Sequence, residues 1–135
     1  MLSVDGKGLP LGGILDSAQK AEIELALKTI KQIHGKTPEK LCADKAYDSK
    51  KFRKDLNKLK IKSFIPKRRK AGQAKEPKYN NFLKPVYKTR WIIERSIAWL
   101  GWKRRLLIRW ERKPIVFQAF FNIACLLICM KEVLK

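Results

Sequence analysis

Two carboxylates of this strongly basic 135-residue chain, Asp44 and Glu94, could do chemistry. Asp44 follows a short apolar segment typical of a β-strand, and open α/β sheets place functional groups just beyond the carboxyl ends of their strands. Glu94 lies in a later stretch that has helical spacing. Carboxylate oxygens are the ligands that Mg²⁺ prefers, and pairs of such ions catalyse the hydrolysis and transfer of phosphodiesters.

Each carboxylate also has a plainer interpretation. Asp44 could cap a turn or pair with Lys45. Glu94 could form an ion pair with Arg90, one helical turn earlier, which would be worth only about 0.3–0.5 kcal/mol. Spacing alone therefore leaves the catalytic interpretation open.

The charge of the chain indicates a polyanionic partner. The formal net charge is +20, and residues 50–113 hold 23 basic and four acidic residues, whereas residues 1–40 hold six and five. An excess confined to one block is typical of a surface that binds nucleic acid, with an anionic membrane as the second choice. The alternative is a highly solvated surface that binds polyanions non-specifically.

Two basic clusters within the block are the predicted DNA contacts, because lysine and arginine neutralise phosphates and release counterions. Tryptophans interleave with the second cluster and could stack on exposed bases, although we expect Trp91 and Trp99 to pack in the core. The clusters are Lys67, Arg68, Arg69 and Lys70, and Lys103, Arg104 and Arg105.

The apolar pattern predicts an α/β fold that positions these groups. Residues 2–15 predict two short strands around a glycine-rich turn, followed by a helix that Asp16 or Ser17 caps. Residues 40–65 predict a strand–helix–strand unit, whose strands should be parallel because such units close with a crossover connection. Asp48 or Ser49 should begin its helix.

The second half of the chain is predicted to be a loop followed by helices. Residues 66–84 are polar, basic and rich in residues that interrupt regular structure, which predicts an exposed basic loop or insertion. Residues 85–135 predict C-terminal helices, the first reaching to about Trp110. We expect residues 1–135 to form a single domain, a usual size for one.

The cysteines and the last apolar run predict a soluble protein of a reducing, cytoplasmic compartment. Three cysteines and one histidine lack the spacing of a disulfide framework or a zinc site. The apolar run over residues 115–130 contains Gln118 and Asn122 and is shorter than the roughly 20 residues that a membrane span needs. It predicts a buried core helix with Pro114 in its first turn, and no membrane partner.

The segments around both carboxylates resemble a known family. Residues 43–49, ADKAYDS, resemble the ADKGYDS segment of bacterial insertion-sequence transposases of the Asp-Asp-Glu type, and residues 87–95, YKTRWIIER, match their Y-x2-R-x3-E signature. Residues 96–106, SIAWLGWKRRL, are similar to the continuation of that signature in the insertion-sequence-four and -five-like group. Residues 4–11, VDGKGLPL, resemble the same group's VDGRGLPL turn.

The resemblance implies a ribonuclease H-like fold with C-terminal helices, and a DNA transposase that uses Mg²⁺ or Mn²⁺. Asp44 would be the family's second metal-binding carboxylate and Glu94 its third. Arg90 would steady Glu94 or a phosphate, and Tyr87 would help to place the helix. The implied partners are transposon ends and target DNA, bound by a homo-oligomer of the complete protein near the bacterial nucleoid.

Two departures from the family pattern change these expectations. Gly101 stands where the signature closes with lysine, although Lys103 is near. The family's first catalytic aspartate lies on a strand upstream of the VDGRGLPL turn, where this chain begins, and Asp5 belongs to the turn itself. We therefore expect the C-terminal part of a catalytic domain, an incomplete ribonuclease H-like fold without its first strand, that is inactive alone.

Other functions remain open beside the transposase. A non-catalytic DNA-binding remnant would explain the basic block, and an unrelated basic RNA-binding protein would explain the charge but not the motifs. The transposase hypothesis makes a geometric prediction: folding should bring the Asp44 and Glu94 carboxylates within roughly 4–8 Å, as a two-metal site requires. Asp48 should lie nearby, turned to cap its helix.

Overall fold

The computed structural model shows a mixed α/β protein with two small sheets and C-terminal helices. The chain divides into two compact units, and each is described by itself: one comprises Met1–His34 and Trp91–Lys135, the other Gly35–Arg90. The predicted single domain stays a prediction. The structure describes four ranges, with only the helical backbone for residues 84–88: residues 1–16, 22–35, 37–68 and 84–134.

The first unit begins with the predicted hairpin. Strands β1 (Leu2–Val4) and β2 (Pro10–Gly13) pair antiparallel, with an irregularity in register between Ser3 and Val4. The turn between the strands holds Gly8 at φ +90°, a left-handed conformation that glycine adopts without steric cost. The glycine in the motif is thus required by the backbone of the turn.

Helix α1 (Glu22–Lys31) has the apolar face that the sequence predicts. Glutamates lie in its first turn and lysines in its last, an order that complements the helix dipole. Of its two predicted caps, Asp16 is exposed and outside any described helix, and Ser17 lies outside the described residues. The buried residues are Leu25, Ala26, Thr29 and Ile30.

Three helices complete the described part of the first unit. α3 (Lys84–Gly101) contributes its residues from Trp91 onward, and α4 (Arg104–Leu107) is a single turn. α5 (Pro114–Val133) has its proline in the first turn, as predicted, where the missing N–H leaves no helical bond unmade. The predicted helix from residue 85 to about 110 is therefore two helices, interrupted after Gly101.

The prediction that α5 is a buried core helix is wrong. Phe121 and Ala124 are its buried residues, and they pack with Leu100 of α3. Most of its other large apolar side chains are exposed. By length and composition α5 could cross a membrane, although core helices of soluble proteins can have the same length and composition. Only 11% of its most apolar 18-residue window is buried within the protein.

The second unit contains the predicted strand–helix–strand. β3 (Lys40–Cys42) and β4 (Lys62–Phe64) pair in parallel, and α2 (Lys50–Lys58) connects them. Apolar residues on one face of α2 form the core together with residues flanking β4. The predicted basic loop over residues 66–84 is described at residues 66–68 and at Lys84, where α3 begins. The core residues are Phe52, Leu56, Ile61 and Ile65.

Candidate catalytic carboxylates and nucleic-acid surface

Asp44 lies directly beyond the carboxyl end of β3, as predicted. Its side chain is exposed and caps the 3₁₀ turn Lys45–Tyr47 by accepting the backbone N–H of Lys45 through Oδ1. The backbone N–H of Tyr47 donates in turn to the Asp44 carbonyl at 3.0 Å. The turn therefore fixes the carboxylate at the carboxyl edge of a parallel pair, the usual place for functional groups in α/β proteins.

Of the two residues predicted to begin α2, Ser49 does so, and the expectation that Asp48 caps the helix is wrong. Ser49 is the cap residue, with Oγ 3.5 Å from the N–H of Phe52. The Asp48 carboxylate instead accepts hydrogen bonds from Arg53 Nε at 2.9 Å and from the backbone N–H of Arg68 at 2.6 Å. Because Arg53 also donates to the Ile65 carbonyl at 2.7 Å, this network ties the start of α2 to the segment after β4.

The network lowers the pKa of the Asp48 carboxyl group. Burial alone would raise the pKa of its carboxyl group, but the backbone N–H of Arg68 and the Arg53 guanidinium outweigh burial and hold the pKa below its usual value. A carboxylate held ionised by an arginine is a structural anchor for the basic segment that begins at Lys67. Sequence reasoning missed this role, because the partners are separated by up to 20 residues.

Glu94 and Arg90 lie one turn apart on α3, and both side chains are exposed. The backbone of Tyr87 is helical, and its side chain lies outside the described residues. Glu94 belongs to the first unit and Asp44 to the second, so the predicted separation of their carboxylates stays a prediction. Among the described residues, no three His, Cys, Asp or Glu side chains form a group that could hold a metal ion.

The residues after Glu94 join α3 to the hairpin turn. Arg95 donates from Nη2 to the Lys7 carbonyl at 2.6 Å, and the buried Ser96 hydroxyl lies 2.7 Å from the Gly8 carbonyl. The Arg95 guanidinium lies over the rings of Trp91 and Trp99, 4.5 and 4.7 Å from their centroids. Two motif segments that are distant in sequence are thus packed together, and this contact helps to fix the helix that carries Glu94.

Asp5 holds the hairpin turn, as its place in the motif predicted. Its Oδ1 accepts the backbone N–H groups of Lys7 and Leu9, both at 2.8 Å. The Asp5 carbonyl also accepts the N–H of Gly8 at 3.1 Å. A carboxylate bound by two backbone donors stabilises a turn, and Asp5 is therefore explained without a metal.

The described residues of the two predicted DNA-binding clusters differ in how exposed their side chains are. Lys67 and Arg68 are exposed, whereas Arg69 and Lys70 lie outside the described residues. In the second cluster Arg104 is exposed and Lys103 is half-buried. Lys67, Arg68 and Arg104 are therefore accessible to phosphates.

Arg105 has a partner within the chain, which the sequence did not predict. Its guanidinium forms an ion pair with Glu111 at 3.0 Å and lies 5.3 Å from the centroid of the Phe120 ring. Glu111 is nearly buried, with 7% of its side chain exposed. The ion pair with the nearly buried Glu111 gives Arg105 a structural role, and the DNA contact predicted for it stays a prediction.

A lysine face on α2 is a further cationic surface, which sequence reasoning missed. Its members are all exposed, opposite the face that buries Phe52 and Leu56. The signal was available in the sequence, since lysines three and four positions apart lie on one side of a helix. The α2 lysine face consists of Lys50, Lys51, Lys54 and Lys58.

The tryptophans of the basic block are more exposed than predicted. Trp91 has 53% of its surface exposed, so the prediction of core packing is wrong for it, and Trp99 is half-buried. Trp91 lies instead against Arg95, whose guanidinium covers its ring. Trp102 and Trp110 are 85% and 72% exposed and are accessible for stacking.

The cysteines are free thiols, and only Cys42 is exposed. Burial raises the pKa of Cys125 to about 11, so that thiol stays protonated at neutral pH. Burial also raises the pKa of Cys129, one helical turn further along α5. Cys125 packs as a small apolar side chain against the cluster of Leu100, Phe121 and Ala124, and the Cys129 thiol lies 3.7 Å from the Pro10 carbonyl of the hairpin.

Comparison with known proteins agrees with the motifs. The model of the transposase DDE domain family matches residues 1–129, and the chain belongs to this family. It is 34% identical, over 134 residues, to the putative transposase for insertion sequence element IS402 of Burkholderia cepacia. That alignment covers 93% of this chain but 59% of the relative's length. No solved structure gives a significant match to the chain.

Proposed function

We propose that this chain is part of the catalytic domain of a DNA transposase that moves an insertion sequence by phosphodiester hydrolysis and strand transfer. The observation that carries the proposal is the position of Asp44, exposed and fixed by its turn at the carboxyl edge of the parallel pair β3–β4. Membership of the transposase DDE domain family supports the same chemistry. The parallel pair, the hairpin and the C-terminal helices suit a ribonuclease H-like fold, which belongs to this proposal.

Asp44 and Glu94 are the residues proposed to hold Mg²⁺ or Mn²⁺. Both are exposed carboxylates, and hard oxygen donors of this kind suit these ions. When bound, the metal would activate the attacking oxygen and neutralise the developing charge on the phosphate. Arg90, one turn before Glu94, supplies a cation to orient that carboxylate or to bind a phosphate, and Tyr87 is placed on the same helix.

The DNA partner is supported by the exposed cations of the second unit. The described residues 37–68 hold eleven basic and four acidic residues, and one of the acids, Asp48, is already paired with Arg53. Lys67, Arg68 and the α2 lysine face can contact phosphates, which gives affinity without sequence preference. A protein acting on chromosomal DNA belongs in the bacterial cytoplasm, and association with the nucleoid is part of the proposal.

Binding of Mn²⁺ tests the carboxylate assignment directly. Manganese bound to the chain loses its free-ion electron paramagnetic resonance signal, so binding can be followed without catalysis. We expect Asp44→Asn and Glu94→Gln each to weaken binding about tenfold, because each removes one charged ligand. The matched control is Asp55→Asn, another carboxylate of the second unit, which lies 3.8 Å from Lys58 Nζ and should leave binding unchanged.

Two outcomes would contradict the assignment. Mn²⁺ affinity that is equal in the unaltered chain and in both site variants would exclude Asp44 and Glu94 as ligands. Weaker binding in Asp55→Asn alone would move the site to the face of α2 that carries Asp55. Circular dichroism of each variant would show that its helices are intact.

A further inference from the structure

The two strands of the second unit lead a carboxylate and a pair of cations to the same edge of their sheet. β3 and β4 are parallel, with Cys42 paired to Phe64 at their carboxyl ends. The N–H of Ala43 still donates to the Phe64 carbonyl at 3.3 Å, and neighbouring strands lie about 4.8 Å apart. The turn that begins at Asp44 and the segment 65–68 therefore leave the sheet side by side.

The Asp48 anchor, which consists of the Asp48 carboxylate and the Arg53 guanidinium, joins that turn to that segment. Its Oδ1 accepts from Arg53 Nε at 2.9 Å, and its Oδ2 accepts from the backbone N–H of Arg68 at 2.6 Å. Arg53 Nη2 also donates to the Ile65 carbonyl at 2.7 Å. The anchor therefore holds the backbone of segment 65–68 at its first and its last residue.

The anchor leaves the cationic side chains of the segment exposed. Arg68 contributes its backbone N–H to the anchor, while its side chain is exposed, as is that of Lys67. Ile65 and Pro66 are buried. The segment is thus fixed by its backbone and its two apolar residues, which places two cations at the carboxyl edge without neutralising either of them.

Charge and position give Asp48 opposite effects on a phosphate bound by Lys67 and Arg68. By charge alone, a carboxylate next to these cations weakens their attraction for an anion. By position it strengthens binding, because cations whose backbone is already held in place lose less entropy when they bind. The two effects differ in sign, so an experiment can separate them.

We propose that Asp48, together with Arg53, is a positioning residue for DNA: it holds Lys67 and Arg68 beside Asp44, so that the phosphate they bind lies next to the proposed metal ligand. The inference rests on the proposed function and deepens it, because it names the cations that present the DNA backbone to the site. Asp48 and Arg53 act through their hydrogen bonds to the segment and do not themselves contact the DNA.

Binding of duplex DNA by the whole chain carrying Asp48→Asn tests the inference. Asparagine has one acceptor oxygen where the carboxylate has two, so the contact with Arg53 or with Arg68 is lost. Fluorescence anisotropy at several salt concentrations gives the slope of log K against log salt, to which each phosphate contact contributes about 0.9. We expect the slope to fall by up to about 1.8, although the variant has one more positive charge than the unaltered chain.

A second variant breaks the anchor without changing the net charge. Arg53→Lys keeps a cation, but an ammonium group lacks the planar fork with which arginine reaches both Asp48 and the Ile65 carbonyl. We expect its slope to fall in the same direction as that of Asp48→Asn. The matched control, Asp55→Asn, removes a carboxylate of the same unit outside the anchor and should not lower the slope.

A combined variant shows whether the anchor acts through the two cations. Lys67→Gln with Arg68→Gln should lower the slope by about 1.8 in the unaltered chain and by much less when Asp48→Asn is already present. Circular dichroism of every variant at the temperature of the binding measurement shows that folded protein is compared.

Three outcomes would overturn the inference, and they separate it from the proposed function. An unchanged slope in Asp48→Asn and Arg53→Lys, or losses that add in the combined variant, would show that the anchor does not position the cations. An unchanged slope in Lys67→Gln with Arg68→Gln would show that segment 65–68 does not contact DNA, while other cations could still bind it. An unaltered chain without salt-dependent affinity for duplex DNA would contradict the DNA partner of the proposed function as well.

Discussion

At the scale of residues, the hairpin turn and α3 bring two motifs that are distant in sequence into contact. Gly8 adopts a positive φ, and its carbonyl lies 2.7 Å from the Ser96 hydroxyl. Arg95 binds the neighbouring carbonyl of Lys7 at 2.6 Å. Both α3 residues follow Glu94 directly, so the turn motif stabilises the position of the helix segment that carries the proposed metal ligand.

Substitution of Gly8 tests this contact. Gly8→Ala would place a Cβ 2.8 Å from Ser96 Oγ and 3.0 Å from Arg95 Nη2, on a backbone at φ +90°. We expect the free energy of unfolding to fall by about 1–3 kcal/mol, since strain and close contact add. Urea unfolding measures this loss of stability. Gly6→Ala in the same turn, with nothing within 4 Å of the added Cβ, should change stability by less than about 0.5 kcal/mol.

The Asp48 anchor predicts a defined pH dependence. The pKa of this carboxyl is lower in the folded chain than the unfolded value of about 3.9, so its stabilisation is complete above the unfolded pKa and is lost as pH falls through the folded pKa. Asp48→Asn should therefore lower the free energy of unfolding by about 1–3 kcal/mol at pH 7. The difference from the unaltered chain should shrink below about pH 4.

Asp55→Asn is the control for that experiment. Its carboxylate lies 3.8 Å from the exposed Lys58 Nζ on the same helix, a pair worth only about 0.3–0.5 kcal/mol. A loss for Asp48→Asn that is no larger than for Asp55→Asn, or that persists unchanged at low pH, would show that the Arg53 and Arg68 contacts do not stabilise the fold.

At the scale of elements, the sequence predicted those strands and helices whose formation depends on residues close to each other in the chain. The hairpin, the strand–helix–strand of residues 40–65 and the start of α5 at Pro114 follow from local apolar spacing, glycine and proline. The burial of α5 could not be predicted in this way, because a helix that is apolar all round has the same pattern whether one face or both are covered. The observed exposure of Leu126 depends on the tertiary fold.

The candidate site shows the same division. The place of Asp44 after β3 was predictable, because it needs only the end of one strand. The ion pairs Arg105–Glu111 and Asp48–Arg53 were not predicted, because the sequence shows where basic residues cluster but not which carboxylate each of them contacts. Three-dimensional contacts decide which cations of a basic segment remain available to DNA.

The α2 lysine face yields a prediction at this scale. Lys51→Gln together with Lys54→Gln should lower the slope of log K against log salt for duplex DNA by up to about 1.8 units, at about 0.9 per phosphate contact. The control pair Lys28→Gln and Lys31→Gln removes two exposed lysines of α1, in the nearly balanced first forty residues, and should leave the slope unchanged. Fluorescence anisotropy at several salt concentrations gives both slopes. Equal slopes for the two variant pairs would show that the α2 lysine face does not contact the DNA.

At the scale of the whole molecule, the family and the charge both support the proposed DNA partner, while the alignment covers 59% of the length of the IS402 relative. Whether the chain is active depends on how many of its carboxylates can bind a metal ion. Of the other acidic residues in the motif segments, Asp5 binds two backbone N–H groups and Asp48 binds Arg53 and Arg68. Asp44 and Glu94 stay the proposed ligands, because the motif segments that carry them resemble those of the family.

Two carboxylates are few for a two-metal site, and we expect that the 135-residue chain alone does not cleave DNA. Mg²⁺ dehydrates reluctantly and demands near-ideal geometry, so a site short of ligands should position its ions poorly and lose most of their catalytic effect. Nicking of supercoiled DNA with Mg²⁺ or Mn²⁺ measures the activity, and the double variant Asp44→Asn, Glu94→Gln shows the background. Nicking by the unaltered chain that the double variant abolishes would contradict this prediction. It would mean that Asp5 or Asp48 leaves its present hydrogen bonds to complete the site, which the variants Asp5→Asn and Asp48→Asn would then distinguish.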